Sequence, residues 1–174
     1  EQQLTGMELW TRTVQELGLP PFAANALVAR ALLASLAAAE QMLGRSYRML
    51  GRVAHGDKRG RTIGFPTANL FLHRRNTPVQ GVFAVELYGL EREPLFGVAN
   101  VGTRPTVDGT RSLLEVHLFD FAGDIYGRHV AVDFVHKIRA EKKFASFDEL
   151  KQQIERDVAQ ARDFFAQRNN RIQN

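Results

Sequence analysis

The segment from Gly51 to Leu70, GRVAHGDKRGRTIGFPTANL, holds the densest set of chemically useful residues in the chain. Glycines at 51, 56, 60 and 64 permit backbone conformations and close approaches that a Cβ would block, and Lys58, Arg59 and Arg61 set positive charge between them. Such a flap folds over phosphates with its N–H groups, although a plain flexible hairpin has the same composition. It is neither a Walker A loop nor a dinucleotide fingerprint, because the glycine spacing, the Lys-Ser/Thr pair and the strand-to-helix context are missing. Directly after it, Pro66-Thr67-Ala68-Asn69 puts a hydroxyl and a carboxamide on alternate residues, hence on one face if the segment is extended. These hard oxygen donors suit a magnesium ion that keeps several waters and is otherwise held by phosphates. The competing reading is a turn with local side-chain to backbone hydrogen bonds.

The elements that must position these residues are short. From Tyr47 onward, runs separated by Gly, Pro and Asp predict strands at Tyr47 to Ala54, Thr67 to Leu72, Gly81 to Tyr88, Leu95 to Val101, Leu113 to Phe121 and His129 to Lys137. Several alternate with period two, among them Phe83, Val85 and Leu87, and Leu114, Val116 and Leu118. Six such strands with no long helix between them imply an antiparallel sheet closed into a barrel. Ser146 and Glu149 form a capping-box signature, and Leu150, Ile154, Val158, Ala161 and Phe165 mark one face of a helix over about 147 to 167. Two helices are predicted before the strands, Met7 to Leu17 and about Asn25 to Leu43, the second ending at Gly44 as a left-handed cap.

Composition narrows the classes. The 174 residues suffice for one ordinary domain and a short appendage, and 44% hydrophobic with 24% charged residues is the balance of a folded protein that stays in water. No apolar run is long enough to predict a membrane span, and the absence of cysteine excludes disulfides and thiolate metal sites, so a cytoplasmic location is expected. The net charge of +4 is small, and its one local concentration, at Lys58, Arg59 and Arg61, suits a compact polyanion at least as well as a duplex. Five histidines at 55, 73, 117, 129 and 136 show no metal-ligand spacing, and no G-x-S-x-G elbow offers a serine nucleophile.

The run Gly-Phe-Pro-Thr-Ala-Asn-Leu at 64 to 70, following a glycine-rich flap, resembles the signature of the riboflavin kinase family, in particular the C-terminal kinase module of bacterial bifunctional riboflavin kinase/FAD synthetases. The resemblance continues in order through Gly81-Val82-Phe83, Asn100 to Thr106, Leu114 to Phe121, Gly123-Asp124-Ile125-Tyr126-Gly127 and Phe134 to Phe144. It implies a mainly β fold: a six-stranded antiparallel riboflavin-kinase-like barrel with a C-terminal α-helix and a short helical N-terminal appendage. Residues 45–174 would be the kinase domain, and 1–44 a helical remnant or linker similar to the end of a nucleotidyltransferase domain.

The resemblance also implies roles. ATP would give its γ-phosphoryl group to the ribityl 5′-hydroxyl of riboflavin, yielding FMN and ADP with Mg2+ as cofactor. Thr67 and Asn69 would bind the metal and the nucleotide phosphates, and Glu115 would be the catalytic base. Its neighbours in the alternation, His117 and Phe119, share its face, opposite Leu114, Val116 and Leu118; a solvent-facing glutamate fits the same pattern. Gly56, Gly60 and Arg61 would contact ATP from the flap, with Asp120 and Tyr126 on the adenine side. Arg139, Glu141 and Phe144 would take the flavin, by stacking and a hydrogen bond to the ring imide or ribityl chain; a charged loop before a helix cap is the bland alternative.

The H-x-G-H type motif of the adenylylating domain is not found, so FAD synthesis is not expected of these residues. Partners would be riboflavin/FMN and ATP/ADP, with no nucleic acid and no membrane, and a monomer is expected for the module alone. Two competing functions are a non-catalytic barrel binding nucleotide, nucleic acid or flavin, and a flavin-dependent reductase. Exposed aromatics among basic strands would mark a nucleic-acid barrel, and a yellow protein oxidising NADH would mark a reductase.

Overall fold

The computed structural model describes residues 36–54, 64–72, 77, 79–106 and 109–172. They fall into two compact units that divide between Arg48 and Met49. In the first, helix α1 (Leu36–Leu43) stops at Gly44, whose φ of 65° is the left-handed conformation expected of a helix-ending glycine. The Gly44 N–H donates to the Glu40 carbonyl at 2.8 Å, and the Ser46 hydroxyl donates to the Glu40 carboxylate at 2.9 Å. The predicted helix at 7–17 and the start of the second lie outside the described residues.

Six strands form a closed antiparallel barrel: β1 (Tyr47–Ala54), β2 (Ala68–Phe71), β3 (Gly81–Tyr88), β4 (Leu95–Thr106), β5 (Gly109–Leu118) and β6 (His129–Arg139). The order around the barrel is β1, β2, β5, β4, β3, β6. Alternation fixes which side each residue takes. Val53, Leu70, Phe83, Val85, Leu87, Val101, Leu114, Val116, Val132 and Phe134 are at most 2% exposed and fill the interior. Phe83 and Phe134 meet edge to face there, with ring centroids 5.2 Å apart.

Helix α2 (Phe147–Ile172) covers part of the outer wall. Its Ala161 and Phe165 pack with Val82, Ala84, Val98 and Phe119, so outward residues of β3 and β4, and Phe119 just after β5, are also buried. Phe165 stacks on Phe96 at 4.3 Å. Burial of an aromatic this size stabilises by about 2 to 3 kcal/mol, and that fastens an otherwise polar helix to the barrel. At its N-terminus the Glu149 N–H donates to Ser146 Oγ at 3.2 Å. The Glu149 carboxylate accepts from the Ala145 N–H at 3.1 Å, one residue before the Ser146 N–H that an ideal capping box would use.

Several boundaries differ from the sequence expectation, most of all those of β4 and β5. β4 and β5 continue to Thr106 and Gly109, pairing down to Thr106 opposite Gly109. The expected strands stop at Val101 and start again at Leu113, and the intervening run contains Gly102, Pro105 and Gly109. Proline is nevertheless tolerated where the ladder does not need its N–H. β5 stops at Leu118 rather than Phe121, because Asp120 turns the chain with a φ of 55°.

Candidate active site

Directly opposed residues on neighbouring strands project to the same side of a sheet. Glu115 on β5 stands opposite Asn69 on β2 and opposite Asn100 on β4. One row on the outer wall therefore reads Asn69, Glu115, Asn100: a carboxylate flanked by two carboxamides. Asn69 is buried, 6% exposed, and Glu115 is half-buried. The row continues through Val82, opposite Asn100, to Arg139 on β6, opposite Val82. Short strands thus bring residues 69, 100, 115 and 139 to one face.

Two clefts share a residue next to that row, the first lined from the inward side of the strands and the second from the outer wall. The first, about 440 Å³, is lined by Val53, Pro66, Thr67, Ala68, Leu118 and the 121–126 loop. It is a mostly apolar slot with Tyr126 at its rim. Its loop is tied down locally by the Tyr126 N–H donating to Asp124 Oδ1 at 3.1 Å, and to β1 by Arg52 Nε donating to the Gly127 carbonyl at 2.9 Å. The Gly127 N–H also donates to the Val53 carbonyl at 2.9 Å. The second cleft, about 370 Å³, runs between the outer wall and the start of α2, and Glu115, Asn100, Arg139, Glu141 and Phe144 line it together with Phe147, Leu150 and Ile154. Thr67 lines both. Thr67, the residue expected to bind phosphate or metal, thus borders both clefts.

Arg139 is held rather than free. Its Nε and Nη2 bond both carboxylate oxygens of Asp157 on α2 at 2.7 to 3.0 Å, and its Nη1 donates to the Ala140 carbonyl. Its guanidinium also lies 5.6 Å from the centre of the Phe144 ring. Asp157 is almost wholly buried and takes a further bond from Gln153 Nε2 at 2.9 Å. Arg139 therefore shapes the cleft as a clamp between β6 and α2. The Glu141 carboxylate lies against Gly102, and a Cβ there would come within 2.5 Å of it.

Asp120 belongs to neither lining. It makes a two-pronged ion pair with Arg162 of α2, both bonds 2.9 Å, and Arg162 lies over the Phe119 ring at 4.5 Å. The hydrogen bonds from Arg162 hold the Asp120 carboxyl below its ordinary value. The geometry makes it the anchor of the loop that walls the first cleft. Gly56, Gly60 and Arg61 lie outside the described residues.

Two residues in the second cleft escaped sequence reasoning as site residues. Asn100 is one; only the strand register reveals that it flanks Glu115. His117 is the other. Its Nδ1 donates to the Pro66 carbonyl at 2.9 Å and its ring meets Phe65 edge-on at 5.2 Å. Burial lowers its pKa below the ordinary 6.5, against the opposing effect of the Pro66 bond. The position of His117 on the face of Glu115 was the available signal.

No three His, Cys, Asp or Glu side chains cluster as a metal site among the described residues. Thr67 and Asn69 offer neutral oxygens, which suit a magnesium ion that draws its remaining ligands from phosphates and water.

A family profile described as flavokinase, riboflavin kinase, matches residues 43–165. The bifunctional riboflavin kinase/FMN adenylyltransferase of Escherichia coli (strain K12) is 60% identical over 131 residues, which are 75% of this chain and 42% of that protein. The protein of the same name from Haemophilus influenzae is 59% identical, over 73% of this chain and 41% of its own length. The chain thus spans about two fifths of the length of these curated relatives. Among solved structures, a Streptococcus pneumoniae chain described as a macrolide-efflux protein superimposes with a TM-score of 0.69 and 40% identity, over 76% of this chain and 44% of that one. With the family profile spanning most of its length over a closed six-stranded barrel, this chain belongs to the riboflavin kinase family.

Proposed function

We propose that this chain phosphorylates riboflavin, transferring the γ-phosphoryl group of ATP to the ribityl 5′-hydroxyl to give FMN and ADP. The observation that carries the reading is the sharing of Thr67 by two clefts, beside a row that sets Asn69 against Glu115. A nucleotide in the apolar slot and a flavin under α2 would then meet tail to tail at Thr67. Adenine fits against Tyr126 and Leu118, and Gly56, Gly60 and Arg61 are assigned to the triphosphate. The ring system of the flavin is assigned to the second cleft, with Phe144 beside it and Glu141 as hydrogen-bond acceptor.

In this reading the Glu115 carboxylate orients the primary hydroxyl and takes its proton as the new O–P bond forms, because an alcohol is too weak an acid to ionise beforehand. The bond between the γ-phosphorus and the β,γ-bridging oxygen breaks, and ADP leaves. Magnesium, when bound by Thr67, Asn69 and the phosphates, would neutralise charge on the transferring group. The chain's own contribution is chiefly positioning and exclusion of water. Residues 45–174 are assigned as the kinase module, acting as a monomer in the cytoplasm, and 1–44 as the junction with an adenylyltransferase-like domain such as the relatives' name describes.

The test is direct. Riboflavin, ATP and Mg2+ incubated with the protein should give FMN by chromatography, and Asn69→Ala should give little. Absence of FMN from the parent, or riboflavin bound without turnover, would leave only a binding barrel.

A further inference from the structure

Phe65, Pro66 and Thr67 are the only stretch of chain shared between the two clefts among the described residues: Phe65 lines the second, Pro66 the first and Thr67 both. This tripeptide precedes β2, which begins at Ala68, and follows Gly64, whose φ is 86°. Its backbone therefore lies ahead of the sheet pairing that fixes Ala68 to Phe71 against β5. Yet phosphoryl transfer would require Thr67 to be placed closely, since an error of about 1 Å costs on the order of a hundredfold in rate.

A link from β5 reaches this tripeptide. His117 Nδ1 donates to the Pro66 carbonyl at 2.9 Å across 51 residues of sequence. The same ring is wedged edge-on between Phe65 at 5.2 Å and Phe119 at 6.1 Å. Phe119 is in turn covered by the Arg162 guanidinium of α2. His117 follows Glu115 by two residues on one strand face, so one short piece of β5 carries both the proposed base and the fastening of the Thr67 segment. Desolvation favours the neutral ring, and in that form the Pro66 bond selects the tautomer protonated at Nδ1.

We propose that His117 is a positioning residue for phosphoryl transfer: it fixes the Phe65–Pro66–Thr67 backbone against β5 and so presents Thr67 at the junction of the clefts in register with Glu115. The proposal rests on the kinase reading above. It assigns His117 no proton transfer and no bond to the flavin. A carboxamide can replace the donating nitrogen, whereas an aromatic hydrocarbon keeps only the packing.

The experiment compares the parent with His117→Phe, His117→Asn and His117→Gln in steady-state kinetics and thermal unfolding. His117→Phe should lower kcat about tenfold, the factor carried by one lost hydrogen bond, with the riboflavin KM within about twofold and the unfolding midpoint near the parent's. One of the two carboxamide variants should recover most of kcat. Nitrogen-15 NMR of the histidine ring in the parent should show the Nδ1-protonated tautomer whether or not substrate is turned over. An active parent with an unimpaired His117→Phe variant would overturn the proposal, as would a loss confined to the riboflavin KM, failure of both carboxamides to rescue, or an Nε2-protonated ring. If His117→Phe does not fold, the carboxamide pair and the ring tautomer still decide. A parent that forms no FMN removes the kinase reading and this proposal together.

Discussion

A Cβ at Gly102 would come within 2.5 Å of the Glu141 carboxylate and 3.5 Å of Asn100 Nδ2, so the missing side chain makes room for an acidic group lining the second cleft. Gly102→Ala should push that flexible carboxylate aside without disturbing the barrel. The expected outcome is a riboflavin KM raised about fivefold, the cost of one displaced hydrogen bond, with an unchanged unfolding midpoint; an unchanged KM would remove Glu141 from the flavin contacts. At this scale Thr67 and Asn69 were legible in the sequence from their types, which suit phosphate and metal, whereas Glu115 and Glu141 stood out only through the resemblance to the riboflavin kinase family. Asn100 and His117 were not, because local alternation tells which face a residue takes and not which residues of other strands stand beside it. Asp120 stood out by its place in the family's motif block, and its side chain pairs with Arg162, 42 residues away on another element.

Strands and the long helix were legible because each has its own period, and the capping pair at Ser146 and Glu149 marked where α2 begins. Their ends were less so: turn residues masked the outer half of the β4–β5 hairpin, and the helix runs on to Ile172, with no glycine or proline after Gln167 to stop it. The barrel order, with β2 lying between β1 and β5, has no local signature, and it is what brings Asn69 to Glu115. The join between β6 and α2 rests on Arg139 and Asp157, with Asp157 only 4% exposed. Removing one partner of a buried pair leaves the other charge uncompensated. Asp157→Ala should therefore destabilise the protein by about 3 kcal/mol, measured by denaturant unfolding, and should weaken riboflavin more than ATP, because Arg139 lines only the second cleft. Equal weakening of both substrates would contradict that division.

Across the whole molecule, two clefts share Thr67, and α2 lines one of them while its Arg162 pairs with Asp120 beside the loop of the other. That pairing predicts an acid response. Asp120 is held below its ordinary value near 3.8, so its contribution to stability is present above that value and is lost as the pH falls through its lower folded value. His117, lowered below 6.5 by burial, adds a loss in the same direction that begins as the pH drops beneath 6.5. In unfolding experiments across pH, Asp120→Asn should be slightly less stable than the parent at neutral pH and should converge with it under acid conditions; a gap that widens on acidification would contradict the ion pair. The central claim is that Glu115 serves the transfer step and leaves nucleotide binding alone. It is tested most directly with γ-labelled ATP, riboflavin and Mg2+ in a single turnover, comparing the parent with Glu115→Gln. Label should pass to FMN in the parent, and the variant should bind ATP within about twofold of the parent while forming FMN at least about a hundredfold more slowly. Label reaching FMN equally fast in the variant would contradict the account.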